Sequence, residues 1–147
     1  MVNAEQGSVS GALDQCDGFP VPPSDSMTRN GVTFTVGDIC HVYSGTVTCV
    51  VKGTQYTASF ADSSRLIAGQ ESFEGSVAGR QGTADLTFRG SRPCFPTCPA
   101  TVHITSTSGA RDLEGLQLDL SAVGGASLTY SGTYAFDGPQ QEGNVLD

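Results

Sequence analysis

The sequence predicts an all-β protein, a single antiparallel up-and-down barrel of seven or eight strands, and three features support this fold class. Glycine is abundant, at 19 of 147 residues, while the residues that favour long helices are sparse. Apolar and polar residues alternate with a period of two from Val32 to about Phe136, and Gly-containing turns interrupt the pattern. A chain of 147 residues is long enough to bury one hydrophobic core.

The alternating region divides into eight predicted strands joined by short turns. Their approximate bounds are 32–36, 40–52, 55–62, 69–78, 82–90, 100–107, 114–123 and 127–136. The stretches VKGTQ and AGRQG are typical of hairpin turns. Residues 1–31 are rich in Pro, Asp and Ser and follow neither period, so they are predicted to form an irregular lead-in. The barrel domain is then expected at 32–137, with a C-terminal tail at 138–147.

The alternation also predicts which side chains face the core. In LQLDLSAV and TADLTFRG, apolar residues occupy one face of the strand and polar residues the other. No predicted helix is available to cover the apolar face, so the strands can bury it by closing into a barrel or by forming a sandwich of two sheets. A barrel also removes exposed sheet edges. Five residues with this parity are expected in the core: Phe73, Leu86, Phe88, Leu118 and Leu120.

Charge and motif content exclude several functional classes. The chain has 7 Lys and Arg against 15 Asp and Glu, a net charge of -8, and would repel nucleic acids and anionic membranes. No apolar run approaches the roughly 18 residues of a membrane-spanning helix. Neither a Walker loop nor a nucleophile elbow is present, and His41 and His103 lie 62 positions apart. No cofactor and no metal are therefore expected.

Five cysteines indicate disulfide bonds, and because the number is odd, at least one thiol is expected to be free or paired between chains. Cys94 and Cys98, in SRPCFPTCPATV, are separated by three residues and precede a predicted strand. Redox pairs are normally separated by two residues and precede a helix, and a zinc site would lack ligands. The spacing therefore favours a disulfide that closes this loop. Cys16 is then expected to pair with Cys40 or Cys49.

The sequence leaves the cellular compartment open. The segment from Met1 to Gly7 has neither the basic nor the apolar region of a signal peptide. The protein is therefore expected to be either cytosolic or the mature form of a secreted protein. Its cysteine content is compatible with secretion of a mature form.

Three polar residues with the parity of the apolar face are the candidate catalytic residues. Glu71 shares the parity of Phe73, so it is predicted to project into the barrel, where burial would raise its pKa and suit it to general acid–base chemistry. His41 and Tyr43 share a parity and would stand near one mouth, where His41 could shuttle a proton. The alternatives are a solvated or Arg-paired carboxylate at the rim and a structural histidine.

Aromatic residues expected on the interior wall are the candidate substrate-binding residues. Tyrosine hydroxyls could bind a ligand there, although filling the core is the alternative role of an aromatic side chain. His103 alternates against Val102 and Ile104 and is expected on the outer face. The substrate-binding candidates are Tyr56, Phe73, Phe88, Tyr130 and Tyr134.

Two segments resemble a family of small barrel proteins. ESFEGSVAGRQGTADLTFRG contains a Glu-x-Phe-x-Gly pattern, a Gly-Arg-x-Gly hairpin and a strand that ends in Gly. TSTSGARDLEGLQLDLSA, followed by YSGTYAFD, contains a Ser-Gly turn, a Leu-x-Gly-Leu stretch and a terminal strand with Tyr. These features are similar to those of the DUF3224 group, which resembles the eight-stranded barrels of the allene oxide cyclase and dirigent type. The resemblance implies an allene oxide cyclase-like barrel that binds an apolar molecule and steers a cyclisation in natural-product biosynthesis.

Two classes of function remain open at this point. The first is a cofactor-free isomerase or cyclase in which the barrel orients a small apolar substrate and Glu71, His41 or a tyrosine polarises one carbonyl or hydroxyl. The second is a non-catalytic secreted protein that binds a small ligand or another surface. The polar residues on the apolar faces, together with the resemblance, favour the enzyme. The expected partner is a small apolar molecule, and assembly into a homo-oligomer is left open.

Overall fold

Nine antiparallel strands form the fold in the computed structural model of the chain, which describes residues 5–136. Eight of them close into a barrel in the order β1-β9-β8-β7-β6-β5-β4-β3, and pairing of β1 with β3 completes the ring. The short β2 adds to β3 outside the ring. The strands are β1 Gln6–Gln15, β2 Asp25–Arg29, β3 Val32–Gly45, β4 Val47–Ser59, β5 Arg65–Val77, β6 Arg80–Arg92, β7 Ala100–Arg111, β8 Leu116–Gly124 and β9 Leu128–Phe136.

The predicted all-β barrel is confirmed, with no helix in residues 5–136 and hence none that could span a membrane. The predicted core residues Phe73, Leu86, Phe88, Leu118 and Leu120 are all buried. The alternation identified them because successive side chains of a strand point to opposite faces, and one face of every barrel strand is the interior. The predicted tail at 138–147 lies outside the described residues.

The prediction of an irregular lead-in is wrong for Asp25–Arg29, which form β2, and for Gln6–Gln15, which form β1 and close the barrel against β3 and β9. Val9 and Leu13 are the only buried side chains of this strand. Gly11 lies between them and packs against the Ser44 carbonyl and the Tyr130 hydroxyl, where a side chain would clash. A glycine at an inward position weakened the alternation, and so the strand was missed.

The predicted hairpin at VKGTQ is also wrong, because β4 continues through it. The β3–β4 turn lies earlier, at Gly45 and Thr46. Gly53 lies within β4 directly opposite Glu71 of β5, and an added Cβ would sit 2.8 Å from the Glu71 Cβ. This glycine therefore serves close cross-strand packing rather than a turn.

One end of the barrel, which we call the closed end, is filled by apolar side chains. Leu113, in the β7–β8 turn, packs beneath Gly82 and Gly109 and is fully buried. It joins Val47, Val77, Leu116 and Phe136 in the hydrophobic core. Interiors of eight-stranded barrels are narrow enough for side chains to fill, and this end is filled.

Two disulfides fasten the opposite end. Cys94 and Cys98 are bonded, with their Cα atoms 5.0 Å apart, as predicted from their spacing. Cys16 pairs with Cys40 rather than Cys49, with a Cα–Cα distance of 5.4 Å, and ties the end of β1 to β3. Cys49 is the unpaired cysteine and is buried.

Candidate functional site

The barrel contains a cavity of about 170 Å³ at the end opposite the closed end, which we call the mouth. Its rim includes Gln15, Arg65, Arg92 and Gly125, which lie at the ends of β1, β5 and β6 and in the β8–β9 turn. Its inner wall is mostly apolar, from Leu13, Ile67, Phe88, Val102, Ile104 and Ala122. Typical ligand pockets measure about 300–1,000 Å³, so this cavity suits a small molecule or one end of a larger one.

Glu71 is the buried carboxyl group of this cavity, with 6% of its surface exposed. Its strand places it inward together with Phe73, as the parity predicted. Gly53 faces it from β4, so the residue directly opposite contributes no side chain over the carboxyl. Among residues 5–136 no Lys, Arg or His forms an ion pair with Glu71. Burial raises its pKa to about 7, an effect that the neighbouring Tyr43 hydroxyl partly opposes.

Tyr43 stands beside Glu71 on the cavity wall. Its hydroxyl is buried and forms no hydrogen bond of normal geometry within the described chain. Burial and the nearby Glu71 carboxyl raise the pKa of Tyr43, so the phenol stays protonated and remains a hydrogen-bond donor. An unpaired buried hydroxyl is costly, and here it is available to a molecule in the cavity.

His41 lines the same cavity nearer the mouth, next to Gln15 of β1. Burial lowers its pKa, which keeps the imidazole neutral at neutral pH. The three candidate catalytic residues Glu71, Tyr43 and His41 therefore lie on one cavity. Cys49 is close enough to Glu71 for that carboxyl to raise its pKa further, beyond the increase that burial causes. Its thiol is thus protonated and a poor nucleophile.

The predicted substrate-binding residues separate into different environments. Phe88 lines the cavity, whereas Phe73 lies in the packed core. The Tyr130 hydroxyl is bonded to backbone, since it donates to the Ser44 carbonyl at 2.8 Å and accepts from the Val47 amide at 3.0 Å. Tyr134 packs edge-on against Phe136 at the closed end, with its hydroxyl 3.3 Å from a carboxylate oxygen of Glu5.

Tyr56 was wrongly predicted to face the interior. It lies on the outer surface and is 49% exposed. Because β4 has no turn at Gly53, the inward parity of Val51 passes to Gln55, which lines the cavity. His103 lies on the outer face as predicted, with its Nε2 2.7 Å from a carboxylate oxygen of Asp119.

Sequence reasoning missed four polar residues of the cavity: Gln15, Gln55, Arg65 and Arg92. The parity of Ile67 and Glu71 extends back to Arg65, and the parity of Phe88 extends forward to Arg92. The same alternation could therefore have found both arginines. Within residues 5–136, no three His, Cys, Asp or Glu side chains come close enough to hold a metal ion.

The fold is similar to that of a solved protein of unknown function from the DUF3224 family of Shewanella oneidensis MR-1. The two structures superpose with a TM-score of 0.74 at 20% sequence identity, over 91% of this chain and 99% of that one. No protein-family model and no curated protein matches the sequence. At this identity the similarity shows a shared barrel fold, in agreement with the DUF3224 resemblance of the sequence.

Proposed function

We propose that the protein is a cofactor-free isomerase or cyclase that acts on a small, mostly apolar molecule held in the barrel cavity. The observation that carries this proposal is Glu71, a carboxyl group buried on the wall of a cavity that combines apolar and polar side chains, without a cationic partner in the described chain. A carboxyl whose pKa is about 7 is ionised in part at neutral pH, which suits both accepting and returning a proton.

The reaction needs no electron acceptor. The Glu71 carboxylate takes a proton from a carbon next to a carbonyl, and the carbonyl oxygen gains the negative charge. The Tyr43 hydroxyl, which forms no hydrogen bond of normal geometry in the described chain, donates a hydrogen bond to that oxygen. Glu71 then returns the proton to another carbon, or to the opposite face of the same carbon, so that the net change is an isomerisation. In a cyclisation, the enolate carbon instead attacks a second carbonyl carbon of the folded substrate, a C–C bond forms as that C=O π bond breaks, and the new alkoxide takes the proton from Glu71.

The surroundings support proton transfer by Glu71. Apolar neighbours such as Phe88 and Ile104 exclude water, which keeps the carboxylate poorly solvated and basic. Neutral His41, nearer the mouth, can exchange protons between the cavity and solvent.

A non-catalytic role in small-ligand binding is the second candidate function. The observation that favours it is the pair of disulfides at Cys16–Cys40 and Cys94–Cys98, because stable disulfides are typical of exported proteins, many of which carry or bind ligands. The same cavity would then hold its ligand without proton transfer.

Deuterium exchange into cyclohexanone tests the catalytic proposal. This ketone is small and apolar, and loss of its α-hydrogens in D₂O is measured by proton NMR. We expect the protein to accelerate exchange over buffer and the rate to rise with pH as Glu71 ionises near pH 7. Glu71→Gln keeps the shape but removes the base, so the protein-dependent rate should fall roughly 10²-fold or more.

Glu74→Gln provides the matched control, since Glu74 lies on the same strand and is exposed on the outer face. It should exchange at the parental rate. Equal rates for Glu71→Gln and the parent, or no acceleration by the parent, would contradict the catalytic role. Saturable binding of the ketone without exchange would instead support the binding protein.

A further inference from the structure

Two arginines stand side by side at the mouth of the cavity. Arg65 is the first residue of β5 and Arg92 is the last residue of β6, and the two residues are direct cross-strand partners. Both have the inward parity of their strands, and both line the cavity. Like charges placed opposite each other in a sheet are normally destabilising, so the arrangement calls for a compensating interaction.

The loop closed by Cys94 and Cys98 holds these arginines in place. The centroid of the Phe95 ring in this loop lies 3.5 Å from the guanidinium carbon of Arg65 and 4.8 Å from the guanidinium carbon of Arg92. Arg92 also donates hydrogen bonds to the Cys98 carbonyl at 2.5 Å and to the Pro96 carbonyl at 2.8 Å. The disulfide loop therefore orients both cationic groups over the cavity entrance.

No carboxylate neutralises either arginine within residues 5–136. The ion pairs of this part of the chain are Arg80 with Glu5 and His103 with Asp119. The Arg65 side chain makes no hydrogen bond there, and the Arg92 side chain uses only part of its donor set on the loop carbonyls. In a protein with 15 acidic and 7 basic residues, two unpaired arginines at one opening form a local positive site.

We propose that Arg65 and Arg92 bind the anionic head group of a small amphipathic ligand whose apolar part enters the barrel. A carboxylate or phosphate fits the forked donors of a guanidinium, and the apolar wall behind them receives a hydrocarbon chain. This inference rests on the proposed function in assuming that the cavity takes a ligand, and it adds the class of ligand. The head group would stay at the mouth while the chain reaches toward Glu71.

Binding of three compounds with the same chain tests the assignment. Octanoate, octyl phosphate and octanol share an eight-carbon chain and differ in head group, and their affinities are measured by isothermal titration calorimetry at low salt. We expect the anions to bind at least about tenfold more tightly than octanol, because a charge-assisted hydrogen bond contributes more than a neutral one. Whichever anion binds more tightly identifies the head group as carboxylate or phosphate.

Arg65→Gln is the test variant, because Arg65 makes no hydrogen bond to the disulfide loop. It should weaken binding of the anions about tenfold and leave octanol affinity within about twofold. Arg89→Gln is the matched control, since Arg89 lies on β6 next to this site but is exposed on the outer face. It should leave all three affinities unchanged.

The outcomes separate this inference from the proposed function. Equal binding of octanol and the anions, or unchanged anion binding by Arg65→Gln, would overturn the anion site while leaving a cavity that binds apolar molecules. An equal loss in Arg89→Gln would show only general charge attraction and would also overturn the site. Absence of binding by all three compounds would overturn both the anion site and the binding of a small apolar ligand.

Discussion

The two ends of the barrel differ in whether their buried polar groups have hydrogen-bond partners, and two neighbouring tyrosines show the contrast. Tyr43 and Tyr130 pack with ring centroids 5.4 Å apart. The Tyr130 hydroxyl, toward the closed end, is bonded to the backbone of Ser44 and Val47. The Tyr43 hydroxyl, on the cavity wall, has no hydrogen-bond partner in the described chain. The Tyr130 hydroxyl toward the closed end thus has its hydrogen bonds within the protein, whereas the cavity retains polar groups without such partners.

This difference places the polar groups that cost stability at the cavity end of the barrel. A buried polar group without a partner typically costs about 1–3 kcal/mol, and a buried carboxylate more. The cavity combines the unpaired Tyr43 hydroxyl, the raised pKa of Glu71 and two arginines without ion pairs among residues 5–136. Departures of this kind from a well-satisfied core are expected at functional sites.

Replacing Leu113 should give the largest loss of stability if the closed end is a packed plug that stabilises the barrel. Leu113→Ala removes a fully buried side chain that packs beneath Gly82 and Gly109. We expect the free energy of unfolding to fall by about 2–5 kcal/mol, since the backbone around the new void can relax only in part. Denaturant unfolding measures it. Leu66→Ala, on the outer wall where Leu66 is 54% exposed, should cost far less, and similar losses for both variants would contradict the plug.

The pH dependence of Glu71→Gln tests the cavity end. Well below pH 4.5 the carboxyl is protonated in both the folded and unfolded protein. As pH rises from about 4.5 to about 7, the unfolded chain ionises while the buried carboxyl stays protonated, so stability falls across this range and is constant above it. The shift from 4.5 to about 7 corresponds to about 3 kcal/mol of stability that the parent should lose relative to Glu71→Gln between pH 4 and pH 9.

Urea unfolding of both proteins at several pH values measures this difference, and other titrating groups cancel in the comparison. Glu74→Gln should run parallel to the parent, because Glu74 is exposed. A constant stability difference between the parent and Glu71→Gln across this range would show that Glu71 titrates as an ordinary carboxyl.

Removing each tyrosine hydroxyl sharpens the contrast between the ends. Tyr130→Phe leaves the Val47 amide without its side-chain acceptor and the Ser44 carbonyl without its donor, and should cost about 1–3 kcal/mol. Tyr43→Phe removes a hydroxyl that forms no hydrogen bond of normal geometry in the described chain and only partly eases the burial of the Glu71 carboxyl, so it should cost less than Tyr130→Phe. Thermal or urea unfolding compares them. Equal destabilisation would mean that the Tyr43 hydroxyl is satisfied, for example by buried water.

The sequence predicted most of the barrel because burial follows parity in its strands. Leu86, Phe88, Leu118 and Leu120 were placed correctly since each alternates with a polar residue on the opposite face. The same rule placed Glu71 inside beside Phe73. Parity is a local property, so it holds as long as the strand has no interruption.

Prediction failed where glycine had more than one interpretation. Gly53 in VKGTQ is typical of a turn, but it lies inside β4 to allow close approach to Glu71, so the interior position predicted for Tyr56 belongs to Gln55. Gly11 occupies an inward position of β1 because it packs against the Ser44 carbonyl and the Tyr130 hydroxyl, and it interrupts the apolar alternation that would identify the strand. Such glycines are required by close contacts with neighbouring strands, and a local sequence pattern does not contain information about those contacts. The sequence also could not show that Arg65 and Arg92 meet, since that depends on the register of β5 with β6.

The disulfide loop gives the smallest expected effect on stability. The double variant Cys94→Ser, Cys98→Ser opens a ring whose cysteines are four positions apart. Loop-closure entropy for so short a ring is small, and Pro93, Pro96 and Pro99 already restrict the open loop, so the free energy of unfolding should fall by about 2 kcal/mol or less. Replacing Cys16 and Cys40, 24 positions apart, should cost more by the same argument.

The same double serine variant should nevertheless weaken octanoate binding, because the loop holds Arg92 through the Pro96 and Cys98 carbonyls and places Phe95 against Arg65. Opening the disulfide loosens these contacts at the mouth while the closed end keeps its packing. Calorimetric titration with octanoate, beside urea unfolding of the same protein, separates the two effects. A large loss of stability with unchanged octanoate affinity would show that the loop stabilises the barrel and does not position the arginines. The mouth would then be a structural end of the barrel, like the closed end.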